Sequence, residues 1–146
     1  RMSNIQATLG LSQLKRIKTI VKRRHLIGEE YYKYLSVNRN IYIPLPKKNN
    51  VKNIYWVVGI LIVNTKLNIN AKDVMNKLKK KNIGTRPFFW PMHRQKVLKK
   101  MSFYNSKKFP NSDYLSKYGF YLPSSLTLTK KKIKYISNCV NEIINL

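Results

Sequence analysis

The amino-acid sequence predicts an α+β fold in which helices pack on a short, mostly antiparallel sheet. Three observations carry this. Apolar residues recur at helical spacing near both ends, as Ile5, Leu9, Leu14, Ile17 and Val21 and again as Ile133, Ile136, Val140 and Ile144. Between them lies a continuous apolar run, Ile54 to Val63, too short to span a bilayer and rich in strand-forming residues. The other strand candidates are short and sit next to prolines, which end pairing. At 146 residues, one domain with a buried core is expected, and no repeat or linker divides it.

Taken in order, Ser3 is a good N-cap, with Gln6 three residues on as a capping box requires. Leu26, Tyr31, Tyr34 and Leu35 prolong the apolar stripe, giving one long helix, bent near Gly28, that ends before Asn38. Ile41 to Leu45 reads as a short extended segment closed by Pro44 and Pro46, and Lys47 to Asn53 as a polar loop. Ile54 to Val63 is the central strand, with Trp56 packed in it. Asn70 caps the next helix, Asp73 complements its dipole, and Val74, Met75 and Leu78 face inward. Asn82 and Gly84 end it, and Thr85 to Phe89 returns as a strand. Phe103 to Asn111 is a loop with a turn at Pro110-Asn111, followed by a short helix from Ser112 to Lys117. Phe120 to Leu122 is a strand stopped by Pro123, and Thr129 opens the last helix.

Composition bounds the partners. Lys and Arg number 30 against 5 acidic residues, a formal net charge of +25. Such a surface attracts any polyanion, so nucleic acid enters the account. The lysines are dispersed as Lys47-Lys48, Lys79-Lys80-Lys81, Lys99-Lys100, Lys107-Lys108 and Lys130-Lys131-Lys132, with no single stripe, and they are interleaved with Asn and Ile. A/T-rich coding alone produces that mixture, which makes nucleic acid the lesser expectation. The lone Cys139 excludes an internal disulfide framework, fits a reducing, cytoplasmic setting, and falls on a helix's apolar face, where it is expected buried and inert. No signal segment opens the chain, no membrane span is present, and no metal-ligand cluster is visible. The chain starts with Arg1 at what reads as mid-fold, which points to a fragment.

The stretch richest in chemistry is Ile83-Gly84-Thr85-Arg86-Pro87-Phe88-Phe89-Trp90-Pro91-Met92-His93-Arg94-Gln95. A plain core has little use for an arginine and a histidine so close together, whereas a grip on a flat, polar anion does. Arg86 is suited to a phosphate or carboxylate, or else is a surface strand arginine with no ligand. Phe88, Phe89 and Trp90 suit the walls of a sugar or base pocket, with at least one of them packing into the core instead. His93 reads as a substrate contact or as a structural histidine. His25, set among basic residues, reads as solvated.

The opening Arg1-Met2-Ser3-Asn4-Ile5-Gln6-Ala7-Thr8-Leu9-Gly10-Leu11-Ser12-Gln13-Leu14 resembles the RMSN-I-Q-A-A-x-G-x-x-Q-L segment of the DegT/DnrJ/EryC1/StrS sugar aminotransferases. Tyr31 to Leu35, Tyr55 to Ile60, Phe109 to Ser112, Leu122 to Ser124 and Leu126 to Thr129 continue the likeness in order, over essentially the whole chain. Ile83 to Phe89 is most similar to the perosamine synthase branch, and Lys96 departs from the proline common in the family.

The resemblance implies that residues 1–146 are the C-terminal, small domain of a fold type I, pyridoxal-phosphate-dependent homodimer. Such enzymes aminate a nucleotide-linked keto-sugar, here of the GDP-4-keto-6-deoxymannose type, with glutamate as amino donor. The Schiff-base lysine would belong to an N-terminal domain absent from this chain, so no catalytic residue is assigned and the chain alone is expected to be inactive. By resemblance Arg86, Phe88, Phe89, Trp90 and His93 are substrate-binding candidates. Arg1 and Asn4 would lie near the cofactor or the dimer contact, or would simply be polar groups at a helix start. The alternative is a non-catalytic basic module, or a dimerising remnant, that binds polyanions.

Overall fold

The computed structural model describes residues 1–101 and 108–145. The expected α+β architecture is present. A four-stranded antiparallel sheet forms from β1 (Ile41–Tyr42), β4 (Val58–Ile62), β6 (Gly119–Leu122) and β5 (Arg86–Pro87), in that spatial order. Its inner face carries Val58, Ile60, Ile62, Phe120 and Leu122, all buried. Against them pack α2 (Ile17–Leu35) through Ile27, Tyr31 and Leu35, α3 (Ala71–Lys80) through Val74 and Leu78, and α6 (Lys130–Ile144) through Ile133, Val140 and Ile144. Burial alternates along β4, so Gly59 and Leu61 fall on the outer face, where no helix of that layer lies.

Helix starts follow local chemistry. In α1 (Asn4–Lys15), Ser3 Oγ accepts from the Gln6 amide while Gln6 Oε1 accepts from the Ser3 amide. Asn70 and Asp73 form the same reciprocal pair at the start of α3, and Thr129 Oγ1 accepts from the Lys132 amide at the start of α6. Helix α3 ends at Lys80, and the chain turns away at Asn82, whose φ of 59° is tolerated by asparagine. Cys139 is buried in α6, as its place in the apolar pattern predicted.

Several expectations are corrected. The long helix does not bend at Gly28; it breaks at Arg16, the residue between α1 and α2, and continues past Gly28, which is buried under the Tyr55 ring. Nor is the stripe of α1 covered: Ile5, Leu9 and Leu14 are exposed, because helical periodicity says which residues share a face and not what lies on it. The central strand is shorter than its apolar run, since Tyr55 takes a left-handed φ of 49° and turns the chain, leaving Trp56 64% exposed and outside the core. The polar loop after Pro46 contains a small hairpin, β2 (Lys47–Lys48) and β3 (Val51–Lys52), turned at Asn49 with φ 53°. Thr85 to Phe89 pairs over only two residues. Pro110-Asn111 is no turn: Pro110 opens α5 (Pro110–Tyr118), where its missing N–H costs nothing. The loop expected from Phe103 lies mostly outside the described residues. A short helix, α4 (Lys96–Lys100), has no counterpart in the sequence reading.

Candidate functional site

The outer sheet face holds the candidate site. The register sets Arg86 opposite Tyr121 and Gly59 opposite Tyr121, so all three share that face. Phe88, two residues after Arg86, is half-buried against it. Its ring lies on a floor made by two glycines: a Cβ at Gly59 would stand 3.2 Å from Phe88 Cζ, and one at Gly119 would stand 2.4 Å from Phe88 Cδ2. The Tyr121 ring closes the stack, its centroid 4.6 Å from that of Phe88. Phe89 reaches Tyr121 edge-on at 6.3 Å and is otherwise 77% exposed. Beside this aromatic group opens a cleft of about 420 Å³ lined by Val57, Thr85, Arg86, Tyr121, Pro123 and Ser124.

The remaining candidates lie elsewhere. Strand β5 ends after Pro87, and the chain leaves the sheet once the Phe88 amide has reached the Gly119 carbonyl at 3.3 Å. Trp90 therefore lines a different hollow, of about 510 Å³, with Phe88, Asn70, Lys72 and Lys117. His93 follows in a one-turn 3₁₀ segment, stacked on Phe109 with centroids 4.9 Å apart. Its Nε2 is 2.8 Å from Asp113 Oδ1, and Arg94 Nε donates to that same oxygen at 2.7 Å. Burial opposes ionisation of Asp113, but the hydrogen bonds from Arg94 and His93 prevail and hold its carboxyl below the usual range. Arg1 and Asn4 are exposed around the start of α1, distant in sequence from every residue of the cleft, and Asn4 contributes its carbonyl to the Thr8 hydroxyl.

Sequence reasoning missed part of this arrangement. Tyr121 was assigned only to a strand, although its place beside Phe120 in a two-residue alternation marks it as facing the other side. His25 is not solvated: its Nδ1 lies 2.9 Å from the Asn53 carbonyl and it is half-buried. Arg24 Nη1 donates to the carbonyls of Trp56 at 2.9 Å and Ser124 at 2.7 Å, and Arg23 donates to those of Leu126 and Leu128. Nothing local announces these contacts, because the acceptors lie far along the chain.

Every lysine among the described residues is exposed. A Schiff-base lysine needs a desolvated amine in a cavity, so the residues present do not by themselves fit a pyridoxal phosphate holder. Among the described residues there is also no cluster of three or more His, Cys, Asp or Glu able to hold a metal ion, and no helix long and apolar enough to cross a membrane.

Comparison with known proteins supplies the wider context. The chain is 30% identical over 146 residues to GDP-perosamine synthase of Vibrio cholerae, covering 99% of this chain and 38% of that protein. It is 33% identical over 144 residues to GDP-perosamine synthase of Escherichia coli O157:H7, covering 97% of this chain and 36% of that one. Its fold superimposes with a TM-score of 0.86 on Helicobacter pylori PseC, an aminotransferase involved in the biosynthesis of pseudoaminic acid, at 19% identity and covering 99% and 38% of the two chains. The chain thus spans little more than a third of the length of the relatives it matches. Residues 1–141 match the DegT/DnrJ/EryC1/StrS aminotransferase family, and the chain belongs to that family.

Proposed function

We propose that residues 1–146 form the C-terminal, small domain of a pyridoxal-phosphate-dependent aminotransferase. Its substrate is a nucleotide-linked keto-sugar of the GDP-4-keto-6-deoxymannose type, and glutamate is the amino donor. The likeness to two GDP-perosamine synthases supports the sugar nucleotide, and family membership supports the reaction and the cofactor. The observation that carries the reading is the outer sheet face itself, where Arg86 stands across a ladder rung from Tyr121 beside an open cleft. A guanidinium next to aromatic faces suits a ligand that is anionic at its phosphates and flat at its base or sugar. Phe88 shapes the platform and Phe89 extends it. Trp90 and His93 belong to the neighbouring rim, and Arg1 and Asn4 to a contact with the cofactor-bearing part or the partner subunit of a homodimer.

The cofactor, with the lysine that holds it, belongs to residues other than these. This division of labour is tested directly. The 146-residue chain, given pyridoxal phosphate, glutamate and GDP-4-keto-6-deoxymannose, should form no 2-oxoglutarate, while GDP should shift the amide resonances of Arg86, Tyr121 and Ser124. Turnover by the chain alone would refute the division. Shifts confined to other surfaces would refute the site.

A second reading has its own observation. Lys72, Lys77, Lys79, Lys80 and Lys81 on or next to α3, and Lys130, Lys131, Lys132 and Lys134 on α6, are all exposed on two helices of the layer opposite the outer sheet face. Only Lys81, paired with Glu142 at 2.9 Å, and Lys130, paired with Glu30 at 3.2 Å, have acidic partners among these nine. A functional polyanion surface would bind single-stranded RNA with a preferred length and a log–log salt slope of about −0.7 per phosphate contacted. Weak binding to any polyanion, heparin included, would reduce this face to bulk charge.

A further inference from the structure

The last ladder rung between β4 and β6 joins Val58 to Leu122. Continuing that register sets Val57 against Pro123 and Trp56 against Ser124. No direct pairing follows: the next hydrogen-bonded rung would be Trp56–Ser124, and Tyr55, at φ 49°, turns the approaching chain. The two strand ends part here, and the cleft lined by Val57, Leu122, Pro123 and Ser124, with Arg86 and Tyr121 on its other wall, opens at the parting. Arg24 sits where the missing rung would be. Its Nη1 alone donates to both facing carbonyls, Trp56 at 2.9 Å and Ser124 at 2.7 Å. A planar guanidinium holds two acceptors at a defined separation, and its charge strengthens both bonds.

We propose that Arg24 is a positioning residue of this cleft, a wedge that replaces the absent rung and sets the spacing between the parted ends of β4 and β6. Its neighbours do not share the role. Arg23 donates to Leu126 and Leu128, and the Tyr31 hydroxyl donates to the Pro123 carbonyl at 2.9 Å, so each grips only the β6 side. Arg24 is the residue among those described whose side chain ties the two sides together at this point. The proposal rests on the reading of the cleft as a ligand site only in the second arm of its test.

The test compares wild type, Arg24→Met, Arg24→Lys and Arg23→Met in the 146-residue chain by residue-resolved amide exchange. Arg24→Met should accelerate exchange at Val58 and Leu122, the last paired amides, by about tenfold or more, while core amides of α3 and α6 stay within about threefold of wild type. Arg24→Lys should recover part of that protection, because an ammonium can still donate but lacks the planar fork. Arg23→Met should leave these two amides unchanged. Uniform acceleration through α3 and α6 in both Arg24 variants, or ladder-end exchange within about twofold of wild type in Arg24→Met, overturns the proposal. In the second arm, GDP is titrated while the Arg86 and Ser124 amides are observed, and Arg24→Met should weaken apparent affinity about tenfold with Arg23→Met near wild type. Absence of any GDP effect on wild type would remove the ligand reading, and the exchange arm would still decide the role of Arg24.

Discussion

Gly28 and Gly10 lie in successive helices and should respond in opposite directions to the same substitution. At Gly28 an added methyl would stand 2.1 to 2.5 Å from three ring atoms of Tyr55. That ring cannot easily yield. Tyr55 is 2% exposed, its amide donates to Asn53 Oδ1 at 3.0 Å, and its hydroxyl donates to the Pro44 carbonyl at 2.8 Å. Overpacking at such a site costs about 1–3 kcal/mol, and loss of the hydroxyl bond adds about 1 kcal/mol. Alanine's better helix propensity returns about 1 kcal/mol. Gly28→Ala should therefore destabilise by about 2 kcal/mol, lowering Tm by about 6 °C in a chain of this size. At Gly10 nothing lies within 4 Å of the added methyl, so only the propensity gain remains, at most about 1 kcal/mol. Thermal unfolding and far-UV circular dichroism of both variants check this. An unchanged Tm for Gly28→Ala would refute the packing of α2 on the Tyr55 turn, and lost helicity for Gly10→Ala would refute the open surroundings of that position in α1.

Four further outcomes are expected. Gly119→Ala should expel the Phe88 ring, since the new methyl meets the Leu115 carbonyl oxygen at 2.6 Å as well as the ring and backbone cannot give way; upfield ring-current shifts linking Phe88 and Tyr121 should vanish in proton NMR. Ser137 is fully buried and its hydroxyl has no partner among the described residues, so Ser137→Ala should raise stability by about 1 kcal/mol in denaturant titration. Burial, helped by the charge of Glu29 and by Tyr32, pushes Tyr55 up to about 12, and burial raises Tyr31 further. The folded state thus holds these protons more tightly than the unfolded chain, and stability should be full below pH 10 and fall as pH rises towards 12, less steeply in Tyr55→Phe. Asp113 shows the reverse sign: its lowered carboxyl contributes stability above the ordinary carboxylate range that is lost as pH falls through its folded value, a loss that Asp113→Asn should abolish in acid titration.

What the sequence made legible follows the range of the interaction. The pairs Ser3–Gln6 and Asn70–Asp73 and the Thr129 cap act over three residues, so their chemistry stands in the sequence and recurs in the structure. The stripes of α3 and α6 were readable for the same reason, because each has a core to face. The apolar residues of α1, Leu11 among them, are spread round the helix instead of gathered on one face, and none is buried against a core within the described residues. Trp56 was misplaced because strand propensity runs unbroken through it, while the turn before it depends on a glycine 27 residues earlier in the chain that leaves room for the Tyr55 ring.

The site divides along the same line. A run from Arg86 to His93 looks like one constellation when written out, but pairing ends at the Phe88 amide, and Pro87 sits where its missing N–H faces the open edge of the sheet. Arg86 and Phe88 stay with the sheet, and Trp90 and His93 go with α5 through the second hollow and Asp113. Arg24 carries the point furthest. Within Arg23-Arg24-His25 it looks like one more solvated charge, and it becomes intelligible only when the register of β4 and β6 is extended past its last rung, to carbonyls 32 and 100 residues away. The cleft is thus defined by a pairing that fails beside a left-handed tyrosine, and among the described residues the side chain that answers both orphaned carbonyls, Arg24, is the one whose loss should change the cleft first.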